Sequence, residues 1–358
     1  MLPTNRPYLI GETAFHHQGD EEFLRQLIDH GAKVGIDALK VHLLLNLEDY
    51  FVRDHNAFDI LNKWLFSEKE WERIIGYAND KGLDLIALCN DSKAIDFVLN
   101  SKNLKIEAIE IHATGLNDYL LLERAAKFKG TVILGVGGST LDEISYAIEV
   151  LNGLGQQDIL LMYGFQNYPT KYEDINLQKM QKLKDLFGLP MGYADHTDPK
   201  NEFNEVISTL GMAMGVNVCE KHFTHVFGED RIDSQAAISL DQLAKTKKLM
   251  GIVHATIGDG GLKMSEAELS YGDTGSMKKA IVANAKIKKG ERITLEKIGF
   301  KRTNESTYMM QYFLPKIIGL TASSDIEADS FIDFSNIKYE FKKAEIGQFL
   351  ADKKESAR

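Results

Sequence analysis

PMGYADHTDPKNEFNEVISTLGMAMGVNVCEKHFT, residues 190–224, contains the pattern on which the fold prediction depends. Two short apolar runs, at 190–195 and 216–222, flank a segment at 202–214 in which apolar residues recur every three or four positions. Short apolar runs are typical of buried parallel strands, and the longer periodic segment is typical of an amphipathic helix. The stretch therefore predicts two parallel strands joined by a helix.

The same unit recurs along the chain. We predict eight strands, at residues 8–12, 38–44, 83–89, 108–113, 131–136, 158–165, 190–195 and 216–222. We predict helices at residues 20–30, 68–80, 92–99, 119–128, 141–151, 177–187, 202–214 and 240–252. Eight uninterrupted repeats favour a closed (β/α)8 TIM barrel over an open doubly wound sheet, so the fold class is α/β.

The repeating pattern ends at a glycine cluster, residues 258–261. A strand-like run at 280–285 and a turn signal at 287–291 follow it. We predict a barrel domain at 1–262, a linker at 263–278, a small β-rich domain at 279–337 and a polar tail at 338–358. A domain as small as the third segment has little core of its own, so we expect it to pack on a barrel.

Composition restricts the class of protein. The chain has 358 residues, 44% of them hydrophobic, and a net charge of −10, which argues against a nucleic-acid partner. Its two cysteines, Cys89 and Cys219, lie in apolar runs and are expected to be packed thiols in a reducing compartment. No apolar run reaches the roughly 18 residues of a membrane span, and no signal-peptide pattern is present. We therefore expect a cytoplasmic protein that acts on or binds a small molecule and has no membrane partner.

Two histidines follow neighbouring predicted strands. In a (β/α)8 barrel the reactive groups come from the C-terminal ends of the strands. His196 follows the seventh strand and His222 ends the eighth, each close to an acidic residue. An isolated histidine in this position more often makes a local hydrogen bond. Two on adjacent strands favour a site for a divalent transition metal.

These segments also carry a family resemblance. Residues 192–197, GYADHT, followed by EKHFT at 220–224, resemble the pattern of the N-acetylneuraminate (sialic acid) synthase family. Further matches occur in order at residues 10–12, 37–40 and 168–174. Residues 287–291, 301–302 and 318–319 resemble the antifreeze-like (SAF) domain of the same enzymes. The resemblance covers residues 7–337 and implies a TIM barrel followed by a SAF domain.

The resemblance also implies an activity. Members of the family condense phosphoenolpyruvate with an N-acylated hexosamine-type aldose to a nine-carbon 2-keto-3-deoxy acid, a nonulosonate, for surface polysaccharide or glycan biosynthesis. A divalent metal, typically manganese, polarises the aldehyde, and the resemblance assigns His196 and His222 as its ligands. It further implies a homodimer in which the SAF domain of one subunit reaches the active site of the other.

Other residues receive roles by the same comparison. Glu12, Glu220 and Asp233 are the predicted catalytic residues, although Glu12 could instead pair with Lys40, and Asp233 could cap a turn. The predicted substrate-binding residues are Lys40, His42, Gln166, Tyr168, Asp195, Lys221, Lys278 and Lys279. The last two replace an arginine that the family presents from its SAF domain.

The chain departs from the family where phosphoenolpyruvate is bound. Glu110 stands where the family has a lysine, and Cys89 lies in a motif that reads Ser-Thr-Pro in the family. Ala113, Gly135 and Ala194 stand where the family has serines. Each lost donor to a dianionic phosphate weakens binding by roughly 1.5–3 kcal/mol. We therefore predict weak binding of phosphoenolpyruvate.

Three hypotheses remain open from the sequence. The first is a synthase of a sialic-acid-like sugar with an altered phosphoenolpyruvate site. The second is a metal-dependent aldolase, lyase or isomerase that acts on a keto-sugar acid without phosphoenolpyruvate. The third is a non-catalytic paralogue that binds a sugar. The combination of Glu12, Lys40, His196, Glu220 and His222 argues against the third, because a pocket without chemistry has no need for it.

Overall fold

The chain forms two compact units, residues 1–259 and 260–358. The computed structural model describes residues 2–165, 167, 170–272, 278–304, 307 and 309–339. Gln166, Tyr168 and most of the predicted tail, from residue 340 onward, lie outside these described residues. The first unit contains the strands predicted for the barrel, and the second contains the predicted SAF region.

Eight parallel strands close into a barrel in the first unit, with each strand paired to the next and the eighth paired to the first. This confirms the predicted fold class. The strands are β1 (Tyr8–Glu12), β2 (Ala38–Leu43), β3 (Asp84–Cys89), β4 (Ala108–Ile111), β5 (Thr131–Gly135), β6 (Ile159–Tyr163), β7 (Met191–Ala194) and β8 (Val218–His222).

Helices occupy the segments between the strands. They are α1 (Glu21–Val34), α2 (Leu47–Tyr50), α3 (Phe58–Leu61), α4 (Glu68–Asp80), α5 (Ser92–Asn100), α6 (Tyr119–Ala125), α7 (Leu141–Gly153), α8 (Tyr172–Ile175), α9 (Leu177–Phe187), α10 (Asn204–Ala213) and α11 (Leu240–Ile257). Asp20 caps the first turn of α1, and Ser67, Thr140 and Ser239 form capping boxes at α4, α7 and α11. These caps satisfy backbone N–H groups that have no partner inside a helix.

Alternation along each strand sorts its side chains between two cores. Residues such as Ile10, Ile133 and Val218 fill the barrel interior. Residues such as Leu39, Leu134 and Cys219 pack in the cluster that includes the helices. On β8 this rule places Val218, Glu220 and His222 on the inner side, whereas Cys219 and Lys221 face outward. The same rule therefore decides which polar side chains can reach the mouth of the barrel.

The second unit has a core of its own. An antiparallel pair, β9 (Lys279–Ala283) and β10 (Ile298–Arg302), is accompanied by α12 (Glu266–Gly272) and α13 (Leu314–Ile317). Ile281, Ile293 and Ile317 are fully buried in its cluster of apolar side chains. The predicted small β-rich domain is thus observed. Among the described residues, none of the helices has both the length and the apolar character to cross a membrane.

Candidate active site

Polar side chains meet in a pocket at the C-terminal ends of the barrel strands. Its volume is about 170 Å³. We call it the central pocket, and its lining includes Glu12, Lys40, His42, Glu110, His112, Ala113, Gly135, Ala194, His196 and Glu220. Its three glutamates and its lysine are each at most 4% exposed. Such concentrated buried charge in a cleft is typical of a functional site.

Lys40 lies at the centre of the buried charge. Its ammonium nitrogen is 2.7 Å from Glu220 Oε1, 3.1 Å from Glu110 Oε2 and 3.2 Å from Glu12 Oε1. We call these four residues the carboxylate–lysine cluster. An ammonium has three N–H donors, so the three carboxylates can use all of them. The alternative that Glu12 pairs with Lys40 is therefore realised, and Glu110 joins the same ion-pair network.

The cluster divides its carboxyl groups by pKa. Burial raises the pKa of Glu220 well above its ordinary value, and the neighbouring Glu12 carboxylate adds to this effect. Burial also raises the pKa of Glu110, partly offset by Lys40. For Glu12, burial opposes ionisation, but Lys40 and His222 outweigh it and lower the pKa well below the ordinary value. Glu12 is therefore the carboxylate of the cluster that is most firmly ionised, and Glu220 is the one that most readily holds a proton.

Glu12 also belongs to a group of possible metal ligands. One ligand atom from each of Glu12, His196 and His222 lies within 4.8 Å of the other two, and all three residues are buried. The His196 and His222 ring centroids are 5.2 Å apart. Burial, followed by His222, lowers the pKa of His196 to about 3, so its ring is neutral and able to bind a metal at neutral pH. Two imidazoles and one carboxylate suit a divalent transition metal.

Two further histidines flank this group. His42 Nε2 is 2.7 Å from Glu12 Oε1, and this contact fixes the orientation of the Glu12 carboxylate. His112 Nδ1 is 3.1 Å from Thr114 Oγ1 at the end of β4. Burial, followed by the charge of His42, lowers the pKa of His112 to about 4. Of the two, His42 is the one in contact with the predicted metal ligands.

Asp195 and Lys221 require a correction. They were predicted to bind substrate, but their side chains lie on the outer side of β7 and β8 and do not line the central pocket. Lys221 Nζ is 2.9 Å from Asp195 Oδ2, and neither side chain is more than 1% exposed. The physical reason is strand alternation, which points residues next to an inward-facing position outward. Their neighbours Ala194, His196 and Glu220 line the pocket instead.

The structure does not assign the remaining predicted residues to the central pocket. Asp233 lies in the segment after β8, partly exposed and in the left-handed region with φ of 62°. Lys278 and Lys279 are exposed in the second unit, where Lys279 begins β9. Their roles remain predictions, as do those of Gln166 and Tyr168, which lie outside the described residues.

The residues that depart from the family do lie at the pocket. Glu110, Ala113, Gly135 and Ala194 line it, while Cys89 lines a neighbouring pocket together with His112. A Cβ atom at Gly135 would come within 3.3 Å of Glu110 Oε1. The missing side chain at position 135 thus leaves space for the Glu110 carboxylate.

Two glycines bring backbones together at the rim beyond β5 and β6. A Cβ atom at Gly137 would lie 1.6 Å from the carbonyl oxygen of Gly164. A Cβ atom at Gly164 would lie 2.1 Å from the carbonyl oxygen of Ala194. No side chain fits at either position without a shift of the backbone, so both positions require glycine.

Sequence reasoning missed two features of this site. Glu12 was assigned to catalysis and not to the metal, although its place at the end of β1, which pairs with β8, was available as a signal. Glu110 was identified only as a departure from the family. Its contact with Lys40 joins β2 to β4, which are separated by β3, and no local sequence pattern predicts this contact.

Comparisons with known proteins agree with this architecture. A model described as the NeuB family matches residues 27–261, and one described as a SAF domain matches residues 278–338. An uncharacterized protein of Methanocaldococcus jannaschii is 29% identical over 330 residues, covering 92% of this chain and 94% of that protein. The N,N'-diacetyllegionaminic acid synthase of Campylobacter jejuni is 27% identical over 339 residues, covering 90% and 98%.

A solved structure extends the comparison. The N-acetylneuraminic acid (sialic acid) synthetase of Leptospira borgpetersenii serovar Hardjo-bovis, in complex with citrate, matches with a TM-score of 0.67 and 25% identity. The match covers 75% of this chain and 90% of that one.

Proposed function

Since this chain belongs to the NeuB family, we propose that it is an enzyme that forms a carbon–carbon bond between phosphoenolpyruvate and an N-acylated hexosamine-type aldose. The product is a nine-carbon 2-keto-3-deoxy acid, a nonulosonate, used in surface polysaccharide or glycan biosynthesis. Relatives named as legionaminic acid and sialic acid synthases support this proposal. So does the order of the two domains, a barrel followed by a SAF domain.

One observation carries the proposal, the buried group of Glu12, His196 and His222 at the strand ends. We assign these three residues as ligands of a divalent metal ion, and we propose that this ion is manganese. Bound there, the metal would act as a Lewis acid toward the aldehyde oxygen of the sugar. His42 would hold the Glu12 carboxylate in place through its contact with Oε1.

Glu220 is our choice for the proton donor. Burial and the neighbouring Glu12 raise its pKa and so favour its protonated form, and it lines the central pocket. Attack of phosphoenolpyruvate C3 on the aldehyde carbon leaves negative charge on the former aldehyde oxygen, which a carboxylic acid can neutralise. Water added at the electron-poor C2 then lets inorganic phosphate leave, and C2 becomes the keto carbon. Lys40, 2.7 Å from Glu220 Oε1, would hold that carboxyl group in place beside Glu12 and Glu110. Asp233 is proposed as a second acid or base only by resemblance.

The direct test is product formation. Metal-free protein would be incubated with Mn²⁺, phosphoenolpyruvate and N-acetylmannosamine or a diacetylated trideoxyhexose, and inorganic phosphate and the 2-keto acid would be measured. We expect both products in equal amounts with an accepted aldose, and neither after chelation or in His222→Ala. Phosphate release without the keto acid, or neither product with any N-acylated aldose, would refute the proposal.

Three finer features are proposed with it. We propose that the enzyme works as a homodimer with SAF domain exchange, and that Lys278 or Lys279 supplies a cation to the site of the other subunit. We also propose a cytoplasmic location, where phosphoenolpyruvate is available. The domain boundaries predicted from the sequence stay part of the same proposal.

A second function is favoured by the carboxylate–lysine cluster. Lys40 is the predicted contact for phosphoenolpyruvate, but three carboxylates already lie within hydrogen-bonding distance of its ammonium. Binding a phosphate there requires one of them to leave. A monoanionic 2-keto acid such as pyruvate has no phosphate group and needs fewer cationic partners. The alternative is therefore a metal-dependent aldolase or lyase that uses no phosphate.

The two functions differ in ligand preference. Calorimetric titration of the Mn²⁺-loaded protein with phosphoenolpyruvate and with pyruvate separates them. Tighter binding of phosphoenolpyruvate supports the synthase. Binding of pyruvate alone, together with cleavage of a nonulosonate to pyruvate and aldose, supports the alternative.

A further inference from the structure

We infer that the Lys221–Asp195 pair is a positioning device for the metal ligands, which holds His196 at a fixed distance from His222 and Glu12. This inference rests on the metal site proposed above. The pair is buried and is not part of the lining of the central pocket, so this role differs from the one predicted from the sequence.

The backbone ladder explains why such a device is needed. His222 is held to Glu12 directly, because β8 and β1 pair in register up to these two residues. On the other side, the ladder between β7 and β8 ends at Ala194 and Glu220. Beyond it, the Asp195 N–H donates to the carbonyl oxygen of Glu220 over 3.2 Å. His196 thus lies past the last paired residues, where regular sheet bonding no longer fixes its distance from β8.

The Lys221–Asp195 pair connects the two strands at this point. Its nitrogen–oxygen distance is 2.9 Å, and the two side chains are 0% and 1% exposed. Each member immediately precedes a proposed ligand, Asp195 before His196 and Lys221 before His222. A displacement of one strand end relative to the other would stretch this buried ion pair, which has no water available to replace it.

Asp195 also fixes the backbone around His196. Its Oδ1 accepts hydrogen bonds from the Thr197 N–H at 3.0 Å and the Thr197 hydroxyl at 2.6 Å, which closes a turn with His196 in the middle. Its Oδ2 accepts from the Ser208 hydroxyl of α10 at 2.6 Å as well as from Lys221. The carboxylate therefore ties the His196 turn both to β8, through Lys221, and to the outer helix.

The test is metal affinity in variants that break the pair. Lys221→Met alone leaves a buried carboxylate without its counter-ion and risks unfolding. The main variant is therefore Asp195→Asn combined with Lys221→Met, which removes both charges and keeps an oxygen to accept from Thr197. Asp195→Asn alone is the second variant. It leaves the Lys221 ammonium without a counter-ion, but it keeps the shape of the side chain and an oxygen that can accept from Lys221. Tyr8→Phe is the matched control, because it removes a partly buried 2.9 Å hydrogen bond to Asp84 at the opposite end of the barrel.

Binding of Mn²⁺ would be followed by the electron paramagnetic resonance of the free ion, and the bound ion would be examined by the visible spectrum of the Co²⁺ form. We expect the double variant to bind Mn²⁺ 10–100-fold more weakly, the range typical of lost partners of metal ligands, with an altered Co²⁺ spectrum. Asp195→Asn should show a smaller loss of the same kind. Tyr8→Phe should stay within twofold of the parent.

Two results would overturn the inference, and they differ in what else they affect. A folded double variant, or Asp195→Asn if the double variant does not fold, with parental Mn²⁺ affinity and Co²⁺ spectrum would overturn the inference and leave the proposed function intact. A parent protein that binds no metal would overturn both. An equal loss of affinity in Tyr8→Phe would also contradict it, because the effect would then be one of general destabilisation.

Discussion

At the scale of single residues, the surroundings of Lys40 distinguish this pocket from one built for a phosphate. Three carboxylates within 3.2 Å surround its ammonium, and burial disfavours the charged form, yet those carboxylates, Glu110 first, raise the pKa of Lys40. The lysine is therefore held in its charged form, and its ammonium is already in contact with three carboxylates. It keeps these acidic groups close together, and one of them, Glu12, is a proposed metal ligand.

The metal ligands can be tested one side chain at a time. We expect His196→Ala combined with His222→Ala to abolish stoichiometric Mn²⁺ binding, since Glu12 alone offers too few donors. Elemental analysis after dialysis measures this. His112→Ala is the control, because His112 lines the same pocket without belonging to the ligand group, and it should bind one ion. Unchanged metal content in the double variant would contradict the assignment.

His17 provides a prediction about pH. It is buried beside Phe66 and Trp71, and its Nδ1 accepts from the Gly19 N–H at 3.0 Å. Burial, followed by the charge of His42, lowers the pKa of His17 to about 3. The unfolded value is about 6.5, so between these limits the unfolded chain binds more protons. The contribution of His17 to the free energy of unfolding is thus fully present above pH 6.5 and falls as the pH drops toward 3.

The measurement is urea unfolding at pH 7 and pH 5 in the presence of a chelator. We expect the parent to lose more stability than His17→Gln over this interval, by up to about 1.4 kcal/mol per pH unit. His196 contributes equally to both proteins, so the comparison isolates His17. Replacement of the exposed His55 by Gln serves as the control and should follow the parent. Parallel curves for parent and His17→Gln would exclude a neutral buried ring.

At the scale of strands, the ends of β4 and β5 act together. Glu110 on β4 occupies space left by Gly135 on β5, where a Cβ atom would come within 3.3 Å of Glu110 Oε1. The two departures from the family are therefore coupled by packing. A side chain introduced at position 135 alone would crowd the Glu110 carboxylate.

We predict that Glu110→Lys, Ala113→Ser and Gly135→Ser together tighten phosphoenolpyruvate binding at least tenfold. A single recovered donor of about 1.4 kcal/mol gives that factor. Calorimetry with Mn²⁺ present measures it. Gly135→Ser with Glu110 retained is the control and should show no gain, because the new side chain crowds the carboxylate. Sub-micromolar binding by the parent, or no gain in the triple variant, would show that the ligand is held elsewhere.

The strands also show how far the sequence alone reaches. Their number and order follow from apolar runs, their starting points were predicted to within two residues, and β1 was predicted with its observed bounds. Several predicted strands extend too far. The strands predicted to end at residues 113 and 195 end at 111 and 194, because the sequence does not show where backbone pairing stops. His196 and His222 were found because strand ends meet in a barrel. Asp195 and Lys221 were misassigned because alternation was not applied to them.

Contacts across the barrel explain what remained hidden. The Lys40–Glu110 pair joins residues 70 positions apart, on strands that do not neighbour each other. Their distance depends on the stagger of β2, β3 and β4, which the sequence does not display. Pairing with Lys40 could therefore be suspected for Glu12 on adjacent β1, but not for Glu110.

At the scale of the whole molecule, the two units lead to a prediction about assembly. The second unit is small, and its described residues include the exposed cations Lys278 and Lys279. Small domains are marginally stable alone, so association with a second subunit would stabilise it. We predict a dimer at micromolar concentration, measured by light scattering of the full chain. Lys278→Ala with Lys279→Ala should remain dimeric but lose activity, and a monomeric parent would contradict the prediction.

The close backbone approach at Gly137 and Gly164 constrains how this enzyme can change during evolution. A β-carbon at Gly137 would lie 1.6 Å from one carbonyl oxygen, and one at Gly164 would lie 2.1 Å from another, so nearly every missense codon at these positions is expected to be lethal to the fold. Adaptive variation at that rim must therefore come from positions other than these two. A saturation library aimed at new substrate ranges would keep Gly137 and Gly164 fixed and vary the side chains around them.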